Sequence, residues 1–113
     1  MELERIVQQL KEFKPKRLIL FGSRQQGTSR AGSDLDIAFI QKGKVQLGQK
    51  AKVYLALSRS GYDWQPEIDL HLLSEDVYKE KLKEGDLFVR EIEKGRVLYS
   101  EKPEFSEKPE FSE

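Results

Sequence analysis

Leu20-Phe21-Gly22-Ser23, ten further residues, and then Asp34-Leu35-Asp36-Ile37 form the stretch on which the reading of this chain turns. Arg17-Leu18-Ile19-Leu20-Phe21 is a nearly continuous apolar run that stops at Gly22, the pattern of a short strand buried on both faces. Ser23 to Arg30 is polar and reads as a turn with a short helix. Leu35 to Ile40 forms a second strand, closed by the turn Gln41-Lys42-Gly43-Lys44. Side chains on a strand alternate between faces, so Asp34 and Asp36 share one face while Leu35 and Ile37 enter the core on the other.

Outward from this stretch, the rest of the chain supplies helices and one more inner strand. Leu3, Ile6, Val7, Leu10 and Phe13 recur at helical spacing and predict an amphipathic helix that stops before Pro15. Ala51, Tyr54, Leu55 and Leu57 predict a helix over residues 47–58, ending near Gly61. Glu67-Ile68-Asp69-Leu70-His71-Leu72 alternates strictly and predicts a strand. Ser74 is placed to cap a helix running to about Leu82, and Asp86 to cap another that carries Leu87, Val89 and Ile92 and stops at Gly95. Val97-Leu98-Tyr99 reads as a short terminal strand or an extended arm.

Composition narrows the class. The 113 residues fit one domain over residues 1–100, and 20 basic against 20 acidic residues leave no net charge. No global basic field therefore points to direct nucleic-acid binding. The absence of cysteine excludes disulfides and thiolate metal sites. The start of the chain lacks a signal-peptide layout, and no apolar run approaches the roughly 20 residues of a membrane span. A cytoplasmic protein is the expectation. At the end, Glu-Lys-Pro-Glu-Phe-Ser at residues 101–106 repeats at once as 107–112. With its prolines and alternating charge, the segment 101–113 is expected to be a disordered appendage.

The chemistry follows from the carboxylates. Two on one strand face repel each other unless a cation neutralises them, and Mg²⁺ takes oxygen ligands while keeping positions for water and phosphate. An isolated Asp-x-Asp is better explained by a capping turn and a solvated side chain. Two features decide against that here. Gly22-Ser23 follows a buried strand directly, where glycine permits close backbone approach and a helix start offers free N–H groups to a phosphate. Asp69 lies on the later strand with Glu67 and His71 on its face, and Ile68, Leu70 and Leu72 on the other. If that strand lies beside the Asp34–Asp36 strand, Asp69 completes a three-carboxylate cluster able to hold two metals about 3.5–4 Å apart.

These residues, from Leu20-Phe21-Gly22-Ser23-Arg24 to Gly32-Ser33-Asp34-Leu35-Asp36-Ile37, resemble the signature of the DNA polymerase beta-like nucleotidyltransferase superfamily. Within it the chain is similar to the minimal nucleotidyltransferases (MNT), small prokaryotic proteins. Glu67-Ile68-Asp69-Leu70 and the closing stretch from Arg90 to Tyr99 add to the resemblance. It implies an α/β (α+β) fold, a mixed sheet flanked by helices, with ATP and two Mg²⁺ ions at the Gly-Ser end. Gly22, Ser23 and Arg24 would bind the nucleotide. Asp34, Asp36 and Asp69 would be the metal ligands and catalytic residues, with Asp69 also placed to act as base on the acceptor hydroxyl. Relatives often carry a second arginine where this chain has Gln26, so one cation near the phosphates is missing unless Arg30 or a partner supplies it.

The resemblance also implies a partner, a helical HEPN-type ribonuclease toxin, and makes this chain its antitoxin. The implied reaction is AMP transfer from ATP to a tyrosine of that toxin. Two alternatives stay open: a non-catalytic antitoxin acting by occlusion, and a minimal subunit modifying a small-molecule hydroxyl. Self-association is left open as well. His71, the single histidine, reads as a polar strand residue rather than a catalytic one. Trp64 and Tyr62 read as packing, Tyr54, Tyr78 and Tyr99 have no motif support as acceptors, and Lys79-Glu80-Lys81 reads as a solvated helical face.

Overall fold

The computed structural model describes residues 2–22, 34–64 and 67–101. The expected turn and short helix over Ser23–Arg30 and the repeated tail beyond Glu101 lie outside the described residues. The elements run α1 (Glu2–Lys11), β1 (Arg17–Phe21), β2 (Leu35–Gln41), α2 (Gln49–Arg59), β3 (Ile68–Ser74), α3 (Glu75–Lys83), α4 (Leu87–Glu93) and β4 (Arg96–Ser100). The strands form one sheet in the order β3-β2-β1-β4. β1 pairs antiparallel with β2 and with β4, whereas β2 and β3 are parallel. Parallel neighbours need a crossover, and α2 supplies it. This is the mixed α+β sheet flanked by helices that the sequence predicts.

Alternation along the strands divides the interior into two layers. Leu18, Leu20, Leu35, Ile37, Phe39, Ile68 and Leu70 point to one face, where Ile6 and Leu10 of α1 and Val53 and Leu57 of α2 cover them. Ile19, Phe21, Ala38 and Ile40 point to the other, against Tyr78 of α3 and Val89 and Ile92 of α4. Each fully buried Leu, Ile or Phe stabilises the fold by about 1.5–3 kcal/mol. Gly95, between α4 and β4, packs directly on β1: a Cβ there would meet the Leu20 carbonyl oxygen at 2.5 Å.

The helix caps are the predicted ones. Ser74 Oγ accepts from the Val77 N–H at 3.2 Å, and Asp86 Oδ1 accepts from the Val89 N–H at 3.0 Å. Each satisfies a donor that the first turn leaves free. α3 also carries Glu75 and Asp76 in its first turn and Lys81 and Lys83 in its last, matching the helix dipole.

α2 is where the predicted face is wrong. Its buried side chains are Val53 and Leu57, with Tyr54 half-buried, while Ala51 and Leu55 face solvent. Leu47 precedes the helix and is fully exposed. The apolar residues on α2 are spread around its circumference, so the covering face is set by the sheet and not by apolar count. Trp64 and Tyr62 pack as expected: Trp64 meets Tyr62 and Tyr54 edge-on at 5.3 and 5.5 Å, and its Nε1–H donates to Ser58 Oγ. Among the described residues no helix is long and apolar enough to cross a membrane.

Candidate active site

The C-terminal end of β1 and the N-terminal ends of β2 and β3 meet at one side of the sheet. Phe21 stands opposite Asp36, and Asp36 stands opposite Asp69 on its parallel neighbour. The two carboxylates therefore sit side by side on adjacent strands, on the face shared with Ala38 and Ile40. The apolar residues between them, Leu35, Ile37, Ile68 and Leu70, anchor both strands in the opposite layer. This alternation lets the buried apolar residues hold the strands that carry the aspartates.

Gly22 closes the arrangement. Its φ of 89° lies in the left-handed region, and a Cβ there would come within 2.6 Å of Asp36 Oδ2. Only glycine lets the chain turn here and leaves room for the carboxylate. Ser23 and Arg24, the other two predicted nucleotide contacts, lie outside the described residues, as do Gln26 and Arg30. Asp34 is exposed at the entry to β2.

His71 joins the carboxylates. Its Nε2 lies 3.2 Å from Asp36 Oδ1 and 3.6 Å from Asp69 Oδ2. One ligand atom from each of Asp36, Asp69 and His71 falls within 4.8 Å of the others, and Asp34 stands outside this group. The imidazole sits against Phe21 at 5.2 Å and Phe88 of α4 at 5.3 Å between ring centres, and those two rings meet edge-on at 5.6 Å. The ring is thus braced by aromatic neighbours with one nitrogen aimed at both carboxylates. The sequence places His71 on the Asp69 face but carries no sign that it reaches Asp36, because that approach depends on strand pairing.

α2 contributes two more residues without a local signal. Lys50 Nζ lies 3.8 Å from Asp69 Oδ1. One helical turn later, the Tyr54 hydroxyl donates to the Ile68 carbonyl at 3.1 Å and accepts from the Leu70 N–H at 3.0 Å. Those two groups flank Asp69 on the edge of β3 that faces away from β2. Tyr54 therefore takes the place of a missing neighbour strand and fixes the backbone that carries Asp69.

Two adjacent carboxylates repel unless a positive charge lies between or beside them. Asp36, Asp69 and His71 retain 31%, 45% and 25% side-chain exposure, open enough for an ion to enter. An oxygen, oxygen and nitrogen donor set of this spacing fits a divalent cation, as does the space that Gly22 leaves open beside Asp36. Beside it runs an open groove of about 620 Å³, lined among others by Val45, Leu47, Lys50, His71 and Phe88. That volume falls in the range of small-molecule clefts.

Comparison with known proteins bears on this geometry. The family model described as "Polymerase beta, Nucleotidyltransferase" matches residues 4–104. No curated protein matches the chain significantly in sequence. A solved structure described as "Crystal structure of the toxin-antitoxin with AMP-PNP" superposes with a TM-score of 0.57. The superposition covers 95% of this chain and 79% of that one at 21% identity, a likeness of fold.

Proposed function

The chain belongs to the polymerase beta nucleotidyltransferase family, and from that premise we propose that it is an antitoxin that transfers AMP from ATP to a tyrosine hydroxyl of a HEPN-type ribonuclease toxin in the cytoplasm. The observation that carries this reading is the pairing of Asp36 with Asp69 on parallel strands beside Gly22. The toxin–antitoxin structure with AMP-PNP supports the choice of partner and nucleotide by likeness of fold.

In this reading Asp34, Asp36 and Asp69 would hold two Mg²⁺ ions, and Gly22, Ser23 and Arg24 would cradle the triphosphate. The bound ions would supply charge neutralisation for the triphosphate and activation of the attacking oxygen. Asp69 takes the proton of the tyrosine hydroxyl as its oxygen attacks the α-phosphorus. A phosphorus–oxygen bond forms to the tyrosine, the α–β bridging bond breaks, and pyrophosphate leaves. Gly22 keeps the backbone low beside Asp36 so that a phosphate can approach. Tyr54 holds the strand edge on which Asp69 is carried. The protein's contribution is mainly position and charge.

The test is the intact mass of the partner toxin after incubation with this protein, ATP and Mg²⁺. A gain of one or more adenylyl groups is expected, and Asp36→Ala should abolish it. An unchanged toxin mass with folded, metal-loaded protein would count against the reading.

A further inference from the structure

We propose that His71 is itself a metal ligand, through Nε2, and that the site therefore takes first-row transition ions in preference to Mg²⁺. The inference rests on the reading of Asp36 and Asp69 as metal ligands and adds to it a third donor and a choice of metal.

Three observations carry it. Nε2 lies 3.2 Å from one carboxylate oxygen and 3.6 Å from the other, close to the roughly 3.0–3.4 Å edge that neighbouring ligands span around a cation with bonds of about 2.0–2.1 Å. The ring packs against Phe21 and Phe88 in the orientation that aims Nε2 at the carboxylates. And the His71 side chain is partly open to solvent, at 25% exposure, and lines the groove beside the carboxylates.

A donor set with an imidazole nitrogen changes the metal preference. Mg²⁺ is held by oxygen and sheds water reluctantly, whereas first-row transition ions accept imidazole readily. A carboxylate pair alone would accept Mg²⁺ and Mn²⁺ alike. With His71 added, Mn²⁺, Co²⁺ or Zn²⁺ gains a bond that Mg²⁺ does not exploit. His71 would then set metal choice without changing the route of phosphoryl chemistry.

The chain contains one histidine, which makes the test direct. The untagged full chain is loaded with Mn²⁺ without nucleotide, once with ordinary histidine and once with ¹⁵N-labelled histidine, and pulsed electron paramagnetic resonance reads nitrogen coupling to the metal. A nitrogen coupling that changes with the isotope is expected. Competition should show Mn²⁺ bound at least about tenfold tighter than Mg²⁺, and His71→Phe should cut Mn²⁺ affinity roughly tenfold while leaving Mg²⁺ affinity nearly unchanged. Phenylalanine keeps a ring between Phe21 and Phe88, and the isotope experiment needs no variant at all. If Mn²⁺ binds, is lost in Asp36→Asn, and shows no isotope-sensitive coupling, His71 only hydrogen-bonds to Asp36. The proposal then falls while the metal reading stands. If neither Mn²⁺ nor Mg²⁺ binds at the carboxylates, both fall.

Discussion

Gly22 and Asp36 show how much one missing methyl group can decide. The φ of 89° at Gly22 and the 2.6 Å that would separate a Cβ from Asp36 Oδ2 act together. Gly22→Ala is expected to cost roughly 1–2 kcal/mol in backbone strain alone, read as a lower midpoint in urea unfolding. It should also push the Asp36 carboxylate aside and lower the transfer rate on the order of 10²-fold, since small displacements at a reacting centre are costly. A variant that is destabilised yet fully active would separate the glycine from the site. At this scale the sequence was legible where chemistry and spacing coincide: Gly22, Asp36 and Asp69 are each found from their neighbours along the chain. The approaches of His71 to Asp36 and of Lys50 to Asp69 were not, because one is made across strands and the other from a helix. No local pattern encodes such distances.

At the scale of elements, strand alternation carried the prediction well and helical periodicity carried it unevenly. β2 and β3 turn Leu35, Ile37, Ile68 and Leu70 into one layer, so alternation tells which residues face the other side. α2 covers only part of one layer, and its apolar residues Leu55 and Ala51 were free to point outward. α3 and α4 are joined to β1 by a polar contact that offers its own test. The Tyr78 hydroxyl donates to Glu93 Oε2 at 2.5 Å, and the Arg17 guanidinium lies over the Tyr78 ring at 5.2 Å. Burial first, and then the bond to the Glu93 carboxylate, push the Tyr78 hydroxyl well above the ordinary tyrosine range. The folded state therefore keeps this proton at a pH where the unfolded chain has lost it. The associated stability is fully present below about pH 10, the unfolded value, and declines as pH rises from there towards the folded value. Denaturant midpoints should fall above pH 10 in the wild type, and Tyr78→Phe should flatten that fall. Equal slopes in the two proteins would contradict the role given to this hydroxyl.

For the molecule as a whole, the sheet is covered by α1 and α2 on one face and by α3 and α4 on the other, and the aspartates emerge where β1 ends and β2 and β3 begin. The groove beside them is open, and in the proposed reaction it would admit the acceptor. That makes the identity of the transferred group the decisive question. It is answered by incubating the protein and the proposed toxin partner with ATP radiolabelled at either the α- or the γ-phosphate. Nucleotidyl transfer predicts label on the toxin from the α-position, none from the γ-position, and neither with Asp36→Ala. Label from the γ-position, or from neither position with active wild-type protein, would contradict the account.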